Sequence, residues 1–297
     1  MPLFEPRQSH SIETSEESGV RFLHFGSEWV QGAMRIARPY ALELEYTREM
    51  MACLLLRGEL NLALNTDQAC ASWPKNVLQI GLGAASLTKF WHRYFPHTLQ
   101  TIVEINPGVV TMARQCFKLP RNDGTNIDIH VGDGVTWMSE STQKFDCIMV
   151  DGYDQHARFG ALGTPEFYRD CRARLTRHGL LVLNLFGRSR GYRQQLDSLN
   201  EVFNHRVLAL PPIESAPGAS DGGNSIVFAA VGDTMAVDLQ TLREAAAHLE
   251  KLTGLKLART LMRLEQTERM VFSGYVPADS GAGGRRGRKM PQNPREY

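Results

Sequence analysis

The chain has 297 residues, enough for one large α/β domain with appendages or for two domains. Its 33 basic and 32 acidic residues nearly cancel, which argues against nucleic acid or an anionic membrane as the main partner. Five widely spaced cysteines without a CxxC pair argue against a disulfide framework or a zinc knuckle and point to a reducing compartment.

The first residues, Met1-Pro-Leu-Phe-Glu-Pro6, show no basic stretch leading into an apolar run, so no signal peptide is expected. No uninterrupted apolar run reaches the length of about eighteen residues that marks a membrane span. A cytoplasmic location is therefore expected. Residues 1–18 are polar and acidic and read as a flexible arm. Val20–Phe25 and Trp29–Ile36 read as short strands joined by a Gly-Ser turn, and Leu44–Leu56 as a helix. Together residues 19–65 read as a small β/helical appendage.

From Asn76 strands and helices alternate. Val77–Ile80, Thr101–Ile105, Ile127–Val131, Phe145–Val150 and Leu180–Phe186 are predicted strands. Between them lie predicted helices at Leu87–Tyr94, Pro107–Phe117, Val135–Ser139 and Pro165–Leu175. Such alternation implies right-handed crossovers and a parallel sheet with helices on both faces. Asn106-Pro107 and Thr164-Pro165 each place a capping side chain before a proline, a good start for a helix. A helix over Tyr192–Phe203 then leads to strands Arg206–Leu210 and Ser225–Val231, expected as an antiparallel pair closing the sheet edge. Residues 238–272 read as helical. The main domain is thus placed at 66–275, and the glycine-rich basic tail at 276–297 is expected to be disordered.

Candidate site residues fall at strand ends. The first strand runs into Gly81-x-Gly83 ahead of a helix, and about twenty residues on the second strand ends in Glu104. A tight glycine turn lets a ligand approach backbone at a helix N-terminus, and an acid on the next strand can accept both ribose hydroxyls. Asp133-Gly134 ends the third strand, where the carboxylate could accept an adenine amino group. The plain alternative is that the glycines make turns and the acids cap helices. Asp151 and Asp154 follow the fourth strand and could hold a cationic amine and take its proton; the plain alternative is a turn and a cap. His156 is a further candidate base. No Gly-x-Ser-x-Gly elbow, phosphate loop or HExxH helix is present, and nine scattered histidines give a metal site no support, so none is expected.

These residues resemble the polyamine aminopropyltransferases (spermidine synthases), which share the class I methyltransferase fold. The likeness rests on Val103-Glu-Ile-Asn-Pro-Gly-Val-Val110, Val131-Gly-Asp-Gly134, Phe145-Asp-Cys-Ile-Met-Val-Asp-Gly-Tyr-Asp154 and Pro165-Glu-Phe-Tyr168 with Gly179-Leu-Leu-Val-Leu183. It covers residues 75–190 well and 20–56 loosely. It implies a seven-stranded Rossmann-like sheet behind a small N-terminal β appendage, a homodimer, and a small-molecule amine substrate. It also implies decarboxylated S-adenosylmethionine as co-substrate, with ordinary S-adenosylmethionine as the alternative. By resemblance Gln31 contacts the cofactor, Glu104 the ribose, and Asp133 with Gly134 the adenine. Asp151 is the proton acceptor and Asp154 holds the polyamine.

The chain also departs from the family pattern. The glycine loop normally carries an acid that contacts the aminopropyl amine, and here the position is Ala84. The tyrosine–histidine–glutamate stretch appears as Tyr46-Thr-Arg-Glu49, without the histidine. Gln155 stands where proline is usual, and the N-terminal hairpin with its Leu-Asp-Gly turn is expected to be absent. Three readings therefore stand side by side: an aminopropyltransferase, an S-adenosylmethionine-dependent methyltransferase, and a non-catalytic nucleoside-binding homologue.

Overall fold

The structure, a computed structural model, describes residues 11–26, 30–56, 73–121, 126–153, 159–186, 191–210, 223–231 and 239–266. It begins with a three-stranded antiparallel sheet, β1 (Ile12–Glu17), β2 (Val20–Phe25) and β3 (Gly32–Arg35), in the order β1-β2-β3. Six residues of the expected arm are thus an ordered strand. Ser18 and Gly19 both take positive φ, 50° and 74°, and join β1 to β2 with Glu17 opposite Val20. That conformation at both central positions suits a two-residue hairpin loop. A hairpin is therefore present after all, with a Ser-Gly turn. β1 reads as an arm because it is an edge strand whose side chains after Ile12 are all exposed. Ile12 is the exception and packs beside Phe25.

The main sheet has seven strands in the order β6-β5-β4-β7-β8-β10-β9. β4 (Asn76–Ile80), β5 (Leu99–Glu104), β6 (Ile127–Val131), β7 (Phe145–Val150) and β8 (Leu175–Phe186) pair in parallel. β10 (Asn224–Ala230) runs antiparallel to both β8 and β9 (Val207–Ala209), the expected edge arrangement. The helices between them are α2 (Ser86–Tyr94), α3 (Pro107–Cys116), α4 (Gly134–Glu140), α5 (Pro165–Arg174) and α6 (Tyr192–Val202).

Alternation along the central strands divides the core between two faces. Val77, Cys147, Met149, Val182 and Phe228 pack toward α2 on one face, and Leu78, Ile148, Val150, Leu183 and Val227 toward α5 and α6 on the other. The first face also takes in the residues before the sheet. The predicted helix over 44–56 is α1 (Glu45–Met50) followed by a tight 3₁₀ turn, Met51–Leu54. Met50 through Leu56 are all buried in this core. The strands expected in the appendage form their own sheet, while the apolar run Met50–Leu56 is buried in the core of the main sheet. The last helical stretch is two helices, α7 (Leu239–Thr253) and α8 (Ala258–Gln266). Gly254 separates them with φ +73°, and its N–H reaches back to the Glu250 carbonyl at 2.7 Å, a left-handed helix stop. The tail at 276–297 lies outside the described residues.

Candidate functional site

The C-terminal ends of β4, β5, β6 and β7 meet at one rim, the edge at which open α/β sheets bind ligands. The glycine loop after β4 is fixed by its neighbours. Gly81 has φ +93°, and a side-chain carbon there would stand 2.2 Å from the Asp151 carbonyl oxygen, so only glycine fits. Gly83 has φ +51° and would bring such a carbon within 3.2 Å of the Gln31 carbonyl.

Glu104 is buried at the end of β5. Its Oε2 accepts the Leu82 N–H at 2.8 Å and its Oε1 the Asn106 N–H at 2.9 Å. The carboxylate thus ties the glycine loop to the start of α3. Burial raises its pKa, and the backbone amides of Asn106, Leu82 and Ile105 pull it back. Asp133 caps α4, with Oδ1 accepting the N–H groups of Val135 and Thr136 at 3.0 and 2.9 Å. Here the plain reading of the residue holds, but it uses only one oxygen and leaves Oδ2 without a partner among the described residues. Gly134 lets α4 approach β4: a side-chain carbon there would lie 2.5 Å from Ile80 Cγ2.

Asp151, just past β7, is held by side chains. Its Oδ2 accepts the Tyr46 hydroxyl from α1 at 3.0 Å, and its Oδ1 accepts Asn184 Nδ2 from β8 at 2.8 Å. Burial raises the Asp151 pKa above its ordinary value, and the two hydrogen bonds offset part of that shift. The Tyr46 hydroxyl is pushed well above its usual range by burial and by the Asp151 charge, so it acts as a donor. A half-buried carboxylate whose pKa is raised, and which two donors hold in place, can take the proton of a bound amine.

Asp151, Tyr46 and Thr47 line a cleft with Gln31, the glycine loop and Gln79 of β4. Ala84 borders it too, but its methyl is buried among Leu23, Met34 and Phe117, and β3 lies directly on it: a side-chain carbon at Gly32 would come 2.6 Å from Ala84 Cβ. The position has become part of a packing contact. Thr47 spends its hydroxyl on the Leu44 carbonyl at 2.6 Å. The rim therefore brings together Gln31, Gly81, Gly83, Glu104, Asp133, Gly134 and Asp151. Asp154, Gln155 and His156 lie outside the described residues. Among the described residues no group of three His, Cys, Asp or Glu could hold a metal ion, and no helix is long and apolar enough to cross a membrane.

Sequence reasoning did not assign Asn184 or Gln79 to the site, and it gave Tyr46 no role beyond its place in the stretch likened to the family's tyrosine–histidine–glutamate. Asn184 and Gln79 each interrupt an otherwise apolar strand, Leu-Leu-Val-Leu-Asn-Leu-Phe and Asn-Val-Leu-Gln-Ile, and both are buried. A lone amide in a buried strand is a signal that could have found them. Tyr46 carries no such mark in its own pattern and is picked out only by the resemblance.

The spermine/spermidine synthase domain matches residues 61–188. The polyamine aminopropyltransferase of Chromobacterium violaceum is 34% identical over 86% of this chain and 90% of its own. A probable spermidine synthase from Corynebacterium glutamicum has the same fold, with a TM-score of 0.61 at 20% identity over 92% of this chain and 96% of that one. Human methyltransferase-like protein 13, solved in complex with SAH, gives 0.57 at 26% identity over 71% of this chain and 93% of its own.

Proposed function

The chain belongs to the polyamine aminopropyltransferase family, and from that premise we propose that its cleft moves an aminopropyl group from decarboxylated S-adenosylmethionine to an amine of a polyamine. The observation that carries this reading is the Asp151 carboxylate, held by Tyr46 and Asn184 beside the glycine loop. In this reading Glu104 receives the ribose hydroxyls on the lone pairs its backbone bonds leave free. Asp133 Oδ2 and Gly134 meet the adenine end, and Gln31 closes the cofactor side of the cleft. Asp154 adds a second anionic contact for the polyamine.

The reaction needs a neutral amine aimed at the methylene next to the sulfonium. The amine lone pair forms the new C–N bond as the C–S bond breaks, and methylthioadenosine leaves with the sulfur electrons. The proton of the resulting ammonium passes to Asp151. Its raised pKa makes that transfer easier than it would be to an exposed aspartate. Positioning and proton removal supply most of what such a displacement requires.

The test is methylthioadenosine release from decarboxylated S-adenosylmethionine with putrescine or spermidine as acceptor. Turnover is expected in the wild type, with a loss of roughly 10²–10⁴-fold in Asp151→Asn, the contribution of a positioned proton acceptor. Absence of release at saturating co-substrate with either amine overturns the reading.

A further inference from the structure

One polar group in the cleft has a hydrogen bond still to make. Gln79 is 2% exposed, lines the cleft, and is held at Oε1 by the Thr88 hydroxyl at 2.9 Å. Its Nε2 has no hydrogen-bond partner among the described residues. A buried amide nitrogen left in this way is costly, and a ligand that supplies the missing partner is favoured by the same amount. The place is informative. Gln79 sits two residues before Gly81 and pairs in register with Met149, which is two residues before Asp151. Strand alternation then puts Gln79 and Asp151 on the same face of the sheet, beneath one cleft.

Its chemistry differs from that of a carboxylate. Thr88 can donate to the amide oxygen or accept from the amide nitrogen, so the amide can turn over and keep that bond. The end not bonded to Thr88 can then be a donor or an acceptor. Ala84, on the same loop, brings no polar side-chain group to the cleft. The glycine-loop end of the cleft therefore carries a neutral group that suits either an ammonium or a carboxylate.

We propose that Gln79 is a specificity-determining residue that binds the end of the co-substrate's sulfonium-linked chain, and that it does so with little charge selectivity, admitting both decarboxylated and ordinary S-adenosylmethionine. The inference rests on the aminopropyl-transfer reading and assigns the far end of that site. Its consequence is that ordinary S-adenosylmethionine competes for the cleft and lowers turnover.

Calorimetry on the whole chain tests it with three ligands: decarboxylated S-adenosylmethionine, S-adenosylmethionine, and methylthioadenosine, which lacks the chain. Wild type is expected to bind the first two within about tenfold of each other. Gln79→Leu weakens both by about tenfold, the worth of one buried hydrogen bond, and leaves methylthioadenosine within about twofold, which also shows that the variant is folded. Gln79→Glu raises the preference for the decarboxylated ligand by about tenfold or more, because a carboxylate attracts the ammonium and repels the carboxylate. An unchanged preference in Gln79→Glu, or an equal loss of methylthioadenosine in Gln79→Leu, overturns the assignment while leaving aminopropyl transfer intact. Wild type that binds methylthioadenosine but neither longer ligand overturns both.

Discussion

Glu104 and Asp151 are both acids at strand ends, but they are held differently. Glu104 accepts backbone amides 22 and 2 residues away, whereas Asp151 accepts side chains 105 and 33 residues away. The nucleoside end of the cleft is thus made by the main chain: a glycine loop, a helix cap and a carboxylate that binds both together. The amine end is assembled by side chains from α1, β7 and β8. Backbone sites tolerate many side-chain changes around them, so this end can persist while the other end diverges. The loop position that departs from the family pattern, Ala84, lies against β3, where a side-chain carbon at Gly32 would stand 2.6 Å from its methyl.

The sharpest way to break the backbone end is Gly81→Ala. Its φ of +93° is unfavourable for alanine, and the added carbon meets the Asp151 carbonyl at 2.2 Å. Strain and overpacking together should cost about 4 kcal/mol of stability. Because the clash is with residue 151, both ends should fail. Methylthioadenosine binding is expected to vanish along with turnover, read by calorimetry and by a thermal melt. Retained nucleoside affinity would mean that the loop can re-form without its glycine.

A second variant separates the two ends. Arg263 of α8 makes an ion pair with Glu49 of α1, whose side chain is only 1% exposed and whose Oε2 has no hydrogen-bond partner among the described residues. α1 carries Tyr46, so this pair anchors the element that supplies a donor to Asp151. Arg263→Met strands a buried carboxylate and should cost about 3 kcal/mol. Because the fault lies under α1, the turnover number should fall while methylthioadenosine affinity stays within a fewfold. Adding Glu49→Gln should recover most of the stability, since neither charge is then left alone. Equal losses of turnover and nucleoside affinity would show that the ends are one mechanical unit.

The same division explains what the sequence reveals. Gly81, Gly83, Glu104, Asp133 and Gly134 are legible because each lies at a fixed offset from a strand, and strands show themselves by apolar periodicity. The parallel pairing of the strands follows from the alternation with helices, and the reversed β10 from the long loop before it. Tyr46 is picked out only by its likeness to the family's tyrosine–histidine–glutamate stretch, and its role is not legible because its partner is 105 residues away. β1 escaped for a different reason. An edge strand exposed on both faces has the composition of a loop, and only the Ser18–Gly19 turn and Ile12 mark it.

The smallest expected effect bears most directly on the side-chain end. Tyr46→Phe removes one of the two hydrogen bonds that favour ionised Asp151 but leaves burial, the larger influence, in place. The Asp151 pKa should therefore rise further. Since the reaction requires the ionised carboxylate, activity is lost as pH falls through that pKa, so the acid limb of kcat/KM should move to higher pH in the variant. Losing one hydrogen bond to a charged group should cost about 1.5 kcal/mol, roughly a tenfold loss at neutral pH. Part of that loss should be recovered on raising the pH, because deprotonation restores the acceptor though not its orientation. Nucleoside affinity should not change, since Glu104 is held by the Leu82 and Asn106 amides and not by Tyr46. A pH profile of methylthioadenosine release checks the sign: an acid limb that stays in place, or moves down, would mean that Asp151 is not the group whose ionisation the reaction needs.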